Sequence, residues 1–143
     1  MNVVSSIRAI SPRRYEQLES RFEPEMGVYW AIMNPKPHPA FSAQLLLDLR
    51  AFIDGIIQSH GQIIHDGRPH AINYAILASN APGVFNLGGD LGLFRSAILA
   101  KDRTQLARYA EMCVDDLYPW NRNFDLPITT ISLVQGTALG GGL

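Results

Sequence analysis

Alternating apolar and polar positions predict that this chain begins its regular structure with two strands. The alternation runs through residues 15–23, and residues 27–33 are rich in strand-forming side chains. Pro24 and Gly27 mark a turn between them, so the pattern predicts an antiparallel pair over 15–23 and 27–33. Three prolines within residues 34–39 exclude a helix or an inner strand and predict a surface loop.

A helical period and then a continuous apolar run follow this loop. Leucine and isoleucine recur between residues 46 and 57 at the spacing of an amphipathic helix, with Ser42 as its N-cap and Gly61 as its end. Residues 61–70 are polar and predict an irregular connection. Residues 71–79 contain few polar side chains, as expected for a strand that is buried on both faces.

The second half of the chain predicts two helices and a last strand. Residues 91–100 are apolar enough for a buried helix, and Thr104 is the expected N-cap of a second helix. That helix is expected to end near Pro119, with a further helical turn before Asn123 left open. The predicted buried face of this second helix comprises Leu106, Ala107, Ala110, Val114 and Leu117. A strand over 128–134 completes the order β-β-α-β-α-α-β, which favours an α/β fold with a mostly parallel sheet flanked by helices.

Two glycine-rich turns interrupt these elements, at residues 81–94 and 135–143. Each follows a predicted strand and precedes a helical start, with Gly88-Gly89-Asp90 in the first and Gly140-Gly141-Gly142 in the second. Such turns leave backbone N–H groups without partners at a helix N-terminus, where they bind a phosphate or an oxyanion. Because a parallel sheet brings both turns to one edge, the pair favours an oxyanion hole.

Composition limits the remaining classes of function. The 143 residues are 47% hydrophobic and 17% charged, carry a net charge of −1 and include one cysteine. We therefore expect a single domain over 1–143, with an irregular segment at 1–14, and no nucleic-acid or membrane partner. A start without the features of a signal peptide makes the cytoplasm the expected location.

The titratable side chains outside the turns predict no metal site. The four histidines lie in predicted loops or at a helix end without metal-binding spacing, and we expect solvated surface at His38, His60, His65 and His70. The helical spacing of Glu111, Asp115 and Asp116 predicts solvent-facing carboxylates, with recruitment of one as a base left open. Cys113 is expected to pack on the apolar side of its helix.

The two turns together resemble the crotonase (enoyl-CoA hydratase/isomerase) superfamily. Its Phe-x-x-Gly-x-Asp and Gly-x-x-x-Gly-Gly-Gly segments match Phe85–Asp90 and Gly136–Gly142, which are separated by about fifty residues, as in the superfamily. The form Phe-Asn-Leu-Gly-Gly-Asp-Leu is most similar to the diffusible signal factor synthase branch, as are Val28-Tyr29-Trp30 and residues 109–114. The resemblance begins near residue 15 and implies the N-terminal portion of a crotonase-like ββα spiral.

The resemblance also implies roles for individual residues. Gly89 and Gly141 match the two amides that hold the thioester carbonyl, and Leu87 and Gly88 match the segment beside the pantetheine and adenine of CoA. Asp90 is expected to cap a helix. No cofactor is implied, because the acyl-CoA or acyl-carrier-protein thioester is the substrate. The expected assembly is a homo-oligomer, a trimer or hexamer, and in the signal-synthase branch a sensor kinase is a further partner.

One feature of the superfamily pattern is missing. Hydratase-like members carry an acid/base glutamate directly after the Gly-Gly-Gly-x segment and another about twenty residues further on, whereas this sequence ends at Leu143. We therefore expect the chain to be the N-terminal part of a longer protein or a truncated product.

Two kinds of function remain open. One is an enzyme of the hydratase/dehydratase type, expected to be active as the longer protein and inactive as these 143 residues alone. In the signal-synthase branch it would convert a 3-hydroxyacyl-carrier protein to a cis-2-enoyl acid. The other is a non-catalytic fragment or acyl-CoA-binding module. A Rossmann or P-loop nucleotide binder ranks low, because neither turn has the required glycine spacing or a following Gly-Lys-Ser/Thr.

Overall fold

The computed structural model describes residues 9–143, and its main sheet has four strands. The order is β1 (Leu18–Glu23), β2 (Val28–Met33), β5 (Tyr74–Ser79) and β7 (Thr129–Ser132). β1 and β2 are antiparallel, as predicted, whereas β2–β5 and β5–β7 are parallel. The predicted α/β class with a mostly parallel sheet flanked by helices is confirmed. The predicted irregular segment at 1–14 lies outside the described residues over 1–8.

The first crossover is made by α1 (Ala43–Gln58). Ser42 caps it by accepting a hydrogen bond from the Leu45 amide, and Gly61 ends it with φ +74° while donating to the Ile56 carbonyl, so both predicted boundaries are confirmed. The apolar face of α1 packs on the sheet and forms the core with side chains such as Tyr29, whose ring stacks on Phe52 at 4.5 Å.

The predicted irregular connection at 61–70 is wrong, because this segment folds as a hairpin. β3 (Gln62–His65) and β4 (Arg68–Ala71) pair in antiparallel register around Asp66-Gly67. Both turn residues have positive φ, +49° and +73°, which is the backbone that an Asp-Gly hairpin turn adopts. The Asp66-Gly67 dipeptide predicts such a hairpin, but the polar composition of the segment favoured a connecting loop.

The two helices of the second crossover are α2 (Leu91–Leu99) and α3 (Arg103–Asn121). Asp90 caps α2 by accepting from the Leu93 amide, as predicted. The expectation that α2 is buried is wrong, because Ala97 is its one buried residue and most of its large apolar side chains are exposed. The cap of α3 is Asp102 and not Thr104, since the Asp102 carboxylate accepts from the Gln105 amide at 3.0 Å.

The helix α3 continues through Pro119 to Asn121, so the helical turn that was left open before Asn123 is present and follows Pro119 without a break. Proline has no N–H, so the carbonyl of Asp115, four residues earlier, loses its helical partner. Arg50 of α1 supplies a replacement, because its Nη1 donates to the Asp115 carbonyl oxygen at 2.7 Å. This contact joins α1 to α3 at the point where the proline would otherwise leave an unpaired carbonyl.

The predicted buried face of α3 is also wrong. Val114 and Leu117 are 62% and 69% exposed, whereas Tyr109 and Asp116 are buried. The face turned towards α1 and the sheet carries Tyr109, Cys113, Asp116 and Trp120, at spacings of four, three and four residues. A 3₁₀ turn at Asn123–Asp125 then leads into β7.

Two short strands complete the fold. β6 (Val84–Asn86) and β8 (Thr137–Ala138) form a separate parallel ribbon, and a 3₁₀ turn at Gly140–Gly142 follows β8. Within residues 9–143, no helix has the length and apolarity that crossing a lipid bilayer requires.

Candidate functional site

The ribbon of β6 and β8 brings the two glycine-rich turns together. Val84 pairs with Thr137 and Asn86 with Ala138 in parallel register. The Leu139 amide then donates to the Asn86 carbonyl oxygen at 3.1 Å. Because the strands end side by side, the turn after β6 and the turn after β8 lie against each other, as the two-turn pattern predicts.

The contact between the turns is so close that it requires glycine on both sides. Gly88 has φ +89°, and a Cβ atom there would lie 2.7 Å from the Leu139 carbonyl oxygen. A Cβ atom on Gly142 would lie 2.3 Å from the Asn86 carbonyl oxygen. Any larger side chain at either position would force the two backbones apart.

Gly89 and Gly141, the predicted oxyanion-hole residues, both line one cavity. Within residues 9–143, neither amide donates a hydrogen bond to another group of the protein. Two residues from separate turns, each with an unpaired N–H group, therefore line the same space, and an oxyanion site needs donors of this kind.

The other two predicted site residues, Leu87 and Gly88, have amides that hold the turn in place. The Leu87 amide donates to the Pro39 carbonyl oxygen at 2.7 Å, and the Gly88 amide donates to Asn86 Oδ1 at 2.7 Å. Gly88 also accepts from the Phe41 amide at 2.8 Å. Neither residue belongs to the cavity wall, and the Leu87 side chain is exposed beside the turn.

Asn86 is a site residue that the sequence reasoning did not identify. Its side chain is fully buried, and its Oδ1 is the acceptor for the Gly88 amide. An asparagine that bonds the backbone two residues on is a common device for fixing a turn. The Asn-x-Gly sequence before the helix cap was the signal that could have found it.

The cavity has a volume of about 570 Å³ and lies between α1, α3, the sheet and the two turns. Its wall is mainly apolar and includes Leu46, Leu49, Leu77, Phe94, Leu106 and Trp120. An apolar space with a few placed polar groups is the usual form of a site for a small organic ligand. Here the polar groups include the two glycine amides at the turns.

Tyr109 holds the first turn against α1 and α3. Its hydroxyl donates to the Phe41 carbonyl oxygen at 2.5 Å and accepts from the Asp90 amide at 3.1 Å. Its ring meets Phe94 edge-on at 5.2 Å. Burial raises the pKa of Tyr109 to about 12, so the hydroxyl stays protonated and can donate at neutral pH. Gly89 lies between Gly88 and the anchored Asp90.

The prediction for Asp116 is wrong, because its side chain is buried and does not face solvent. Its side chain is 8% exposed and lines the same cavity as Gly89 and Gly141. Burial raises the pKa of Asp116 to about 7, although Arg50 nearby acts to lower it. The position of Asp116 between Cys113 and Trp120 on one helical face indicates burial. Its charged side chain is more typical of an exposed position, and the prediction followed the charge.

The histidines divide into two groups. His38 and His60 are exposed, as predicted, whereas His65 and His70 are half-buried on the hairpin and are not fully solvated. Their rings pack near Phe22, with centroid distances of 5.7 and 5.8 Å. Within residues 9–143, no group of histidine, cysteine and carboxylate side chains could hold a metal ion.

Sequence comparisons identify no relative: no protein-family model and no curated protein matches this chain.

Solved structures, in contrast, match almost the whole described fold. Pseudomonas aeruginosa DspI superposes with a TM-score of 0.67 at 19% identity, covering 97% of this chain and 44% of DspI. An enoyl-CoA hydratase from Shewanella pealeana superposes with a TM-score of 0.66 at 21% identity, covering 90% of this chain and 43% of the hydratase. An enoyl-CoA hydratase from Bacillus anthracis superposes with a TM-score of 0.64 at 19% identity, covering 89% of this chain and 43% of the hydratase.

The chain therefore spans less than half the length of these structural neighbours. At this level of identity the matches show a shared fold. That fold agrees with the element order and with the fold implied by the glycine motifs. The chain has the fold of the N-terminal part of a crotonase-like protein.

Proposed function

We propose that this chain binds the carbonyl of an acyl thioester through the amides of Gly89 and Gly141, as part of an enzyme of the enoyl-CoA hydratase/dehydratase type. The observation that carries the proposal is that two glycines with unpaired amides, on turns that lie against each other, line one apolar cavity. The fold shared with enoyl-CoA hydratases supports it.

The proposed chemistry follows from where charge develops. Removing a proton from the carbon next to a thioester moves an electron pair onto the carbonyl oxygen, and fixed N–H donors stabilise that oxygen most when it is charged. A donor of this kind contributes about 3–4 kcal/mol to transition-state stabilisation. The turns are suited to this because Asn86 and Tyr109 already hold their backbone in place.

The proposed substrate is an acyl chain on CoA or on an acyl carrier protein. The apolar wall of the cavity would accommodate the chain, and we place Leu87 and Gly88 beside the pantetheine because they border Gly89 outside the cavity. A 3-hydroxyacyl substrate would lose water, and a 2-enoyl substrate would gain it. Exposed apolar side chains on α2 support the expected self-association, which light scattering on the purified chain would measure.

Calorimetric titration with hexanoyl-CoA, with free CoA as the reference ligand, tests the proposal. We expect tighter binding of the acylated ligand and a loss of roughly tenfold, about 1.4 kcal/mol, in Gly141→Pro. Gly141→Ala is the matched control, because it keeps the N–H and its Cβ would meet no atom within 4 Å. Equal affinities for the two ligands, or equal binding by the two variants, would contradict the proposal.

The second candidate is a module that binds acyl-CoA without turning it over. It is favoured by the cavity wall, which includes one carboxyl group, that of Asp116, and no glutamate among the described residues. Hydration of crotonyl-CoA by the chain, lost in Gly89→Pro, would exclude the module. Tight binding without turnover would favour it over the enzyme.

A further inference from the structure

Asp116 brings an acidic group into the cavity that contains the two glycine amides. It lies on the face of α3 that also carries Tyr109 and Trp120, and all of these residues line the wall together with Gly89. Its side chain is 8% exposed and forms part of the cavity wall. Buried carboxyl groups of this kind are unusual without a partner.

The pairing of Asp116 is incomplete. Oδ2 is buried and has no hydrogen-bond partner, while Oδ1 lies 3.9 Å from Arg50 Nε. Arg50 Nη1 bonds the Asp115 carbonyl oxygen at 2.7 Å, while Arg50 Nε lies 3.2 Å from Asp54 Oδ1 without a hydrogen bond to any described residue. Arg50 therefore holds Asp116 only loosely, at 3.9 Å.

We propose that Asp116 is the base that accepts a proton from the carbon next to the thioester carbonyl, a role that rests on the proposed function. The Cα–H bond breaks, the proton moves to the Asp116 carboxylate, and the electron pair becomes the enolate whose oxygen is held by Gly89 and Gly141. Return of a proton from Asp116 to the same carbon restores the thioester. No oxidant or other reactant is required.

The charged groups around Asp116 suit this role. From α1 it faces Arg50, which favours the carboxylate, and Asp54, which disfavours it; from α3 it faces Asp115, which also disfavours it. Cys113, one helical turn away, is neutral because burial raises the pKa of its thiol. Burial has the largest influence and raises the pKa of Asp116 to about 7. At neutral pH the carboxyl is therefore present in both its protonated and its ionised form, as a general acid/base requires.

Exchange of the α-protons of hexanoyl-CoA in D₂O tests the assignment directly, because it needs no knowledge of the natural substrate. Mass spectrometry would follow deuterium entering the acyl chain in the presence of the 143-residue chain. We expect exchange that rises with pH and levels off above about pH 7, and a loss of about 100-fold or more in Asp116→Asn. Asp115→Asn, which alters the adjacent exposed carboxyl, should keep most of the exchange, and Asp116→Glu should restore part of it.

The possible failures can be told apart. If the wild-type chain binds hexanoyl-CoA but does not exchange its α-protons, or if Asp116→Asn exchanges them as fast as Asp115→Asn, the role of Asp116 is overturned and the binding function stands. If hexanoyl-CoA binds no better than free CoA, the proposed function itself fails. Should Asp116→Asn not fold, carboxyl NMR of the wild-type chain decides, because a pKa of Asp116 unchanged by hexanoyl-CoA overturns the assignment.

Discussion

Gly88 and Gly141 approach each other so closely that a Cβ atom on Gly88 would lie 3.1 Å from the Gly141 amide nitrogen. These residues belong to turns that are far apart in the sequence, and β6 and β8 hold the turns together. The positions of the Gly89 and Gly141 amides are therefore coupled. A change in the backbone of either turn is expected to disturb both donors.

Adjacent glycines of the second turn should respond very differently to alanine. In Gly142→Ala the new Cβ would lie 2.3 Å from the Asn86 carbonyl oxygen, so the ribbon must open, and we expect a loss of about 2 kcal/mol or more in the free energy of unfolding. In Gly141→Ala the Cβ meets open space, and we expect a change within about 0.5 kcal/mol. Urea denaturation of the two variants measures the contrast, and equal stabilities would mean that the turns are not in contact.

Asn86→Ala should weaken the first turn. It removes Oδ1, the acceptor for the buried Gly88 amide, and leaves that N–H without a partner. An unsatisfied buried donor costs about 1–3 kcal/mol, which denaturant unfolding would detect. Asn80→Ala provides the control, since Asn80 is exposed. If both variants unfolded at the same denaturant concentration, the Asn86 hydrogen bond would have no structural importance.

Tyr109→Phe should separate the turn from α3 while keeping the aromatic packing. The hydroxyl serves two partly buried backbone groups, the Phe41 carbonyl and the Asp90 amide, so we expect a loss of about 1–2 kcal/mol in unfolding free energy. Hydrogen exchange should also quicken at residues 88–90. Tyr118→Phe is the matched control, because Tyr118 lies exposed on the same helix. Identical protection of the turn in both variants would contradict the anchoring role.

Asp116 should make stability fall as the pH rises. Burial raises its pKa from 3.8 to about 7, so the folded chain keeps a proton that the unfolded chain releases near pH 4. The resulting stabilisation is complete below pH 4 and is lost as the pH rises through about 7. The full shift corresponds to about 4 kcal/mol, and access of water through the cavity reduces this to about 2 kcal/mol.

Unfolding of Asp116→Asn from pH 4 to 8 measures this effect. We expect the variant to gain about 2 kcal/mol on the wild-type chain across that range. Asp115→Asn is the matched control, because it removes an adjacent carboxyl that is exposed. A constant difference between Asp116→Asn and the wild type at all pH values would show that Asp116 titrates as an ordinary carboxyl.

Local sequence was sufficient to predict where most elements begin and end. Ser42, Gly61 and Asp90 act as helix boundaries through bonds to residues at most five positions away, so their roles follow from the nearby sequence. The glycine-rich turns were predictable for a related reason, because strand, glycine turn and helix start form a continuous stretch. The hairpin at 62–71 was equally predictable from its Asp-Gly turn, but the polar composition of the segment favoured a loop instead.

Contacts between distant parts of the chain decided the rest. The buried face of α3 depends on the space left by α1, the sheet and both turns. Tyr109 and Asp116 are buried there, whereas Val114 and Leu117 line the same cavity but stay 62% and 69% exposed. The helix passes Pro119 because Arg50, from another element, supplies the missing donor.

The sequence by itself determined the three helices, the parallel crossovers and the two glycine turns, because periodicity, caps and backbone freedom act over short distances. Only the tertiary structure decided that Gly89, Gly141 and Asp116 line one cavity. The physical reason is that burial and close approach are properties of the packed chain, and they determine which amides stay unpaired and which carboxyl group keeps its proton near neutral pH.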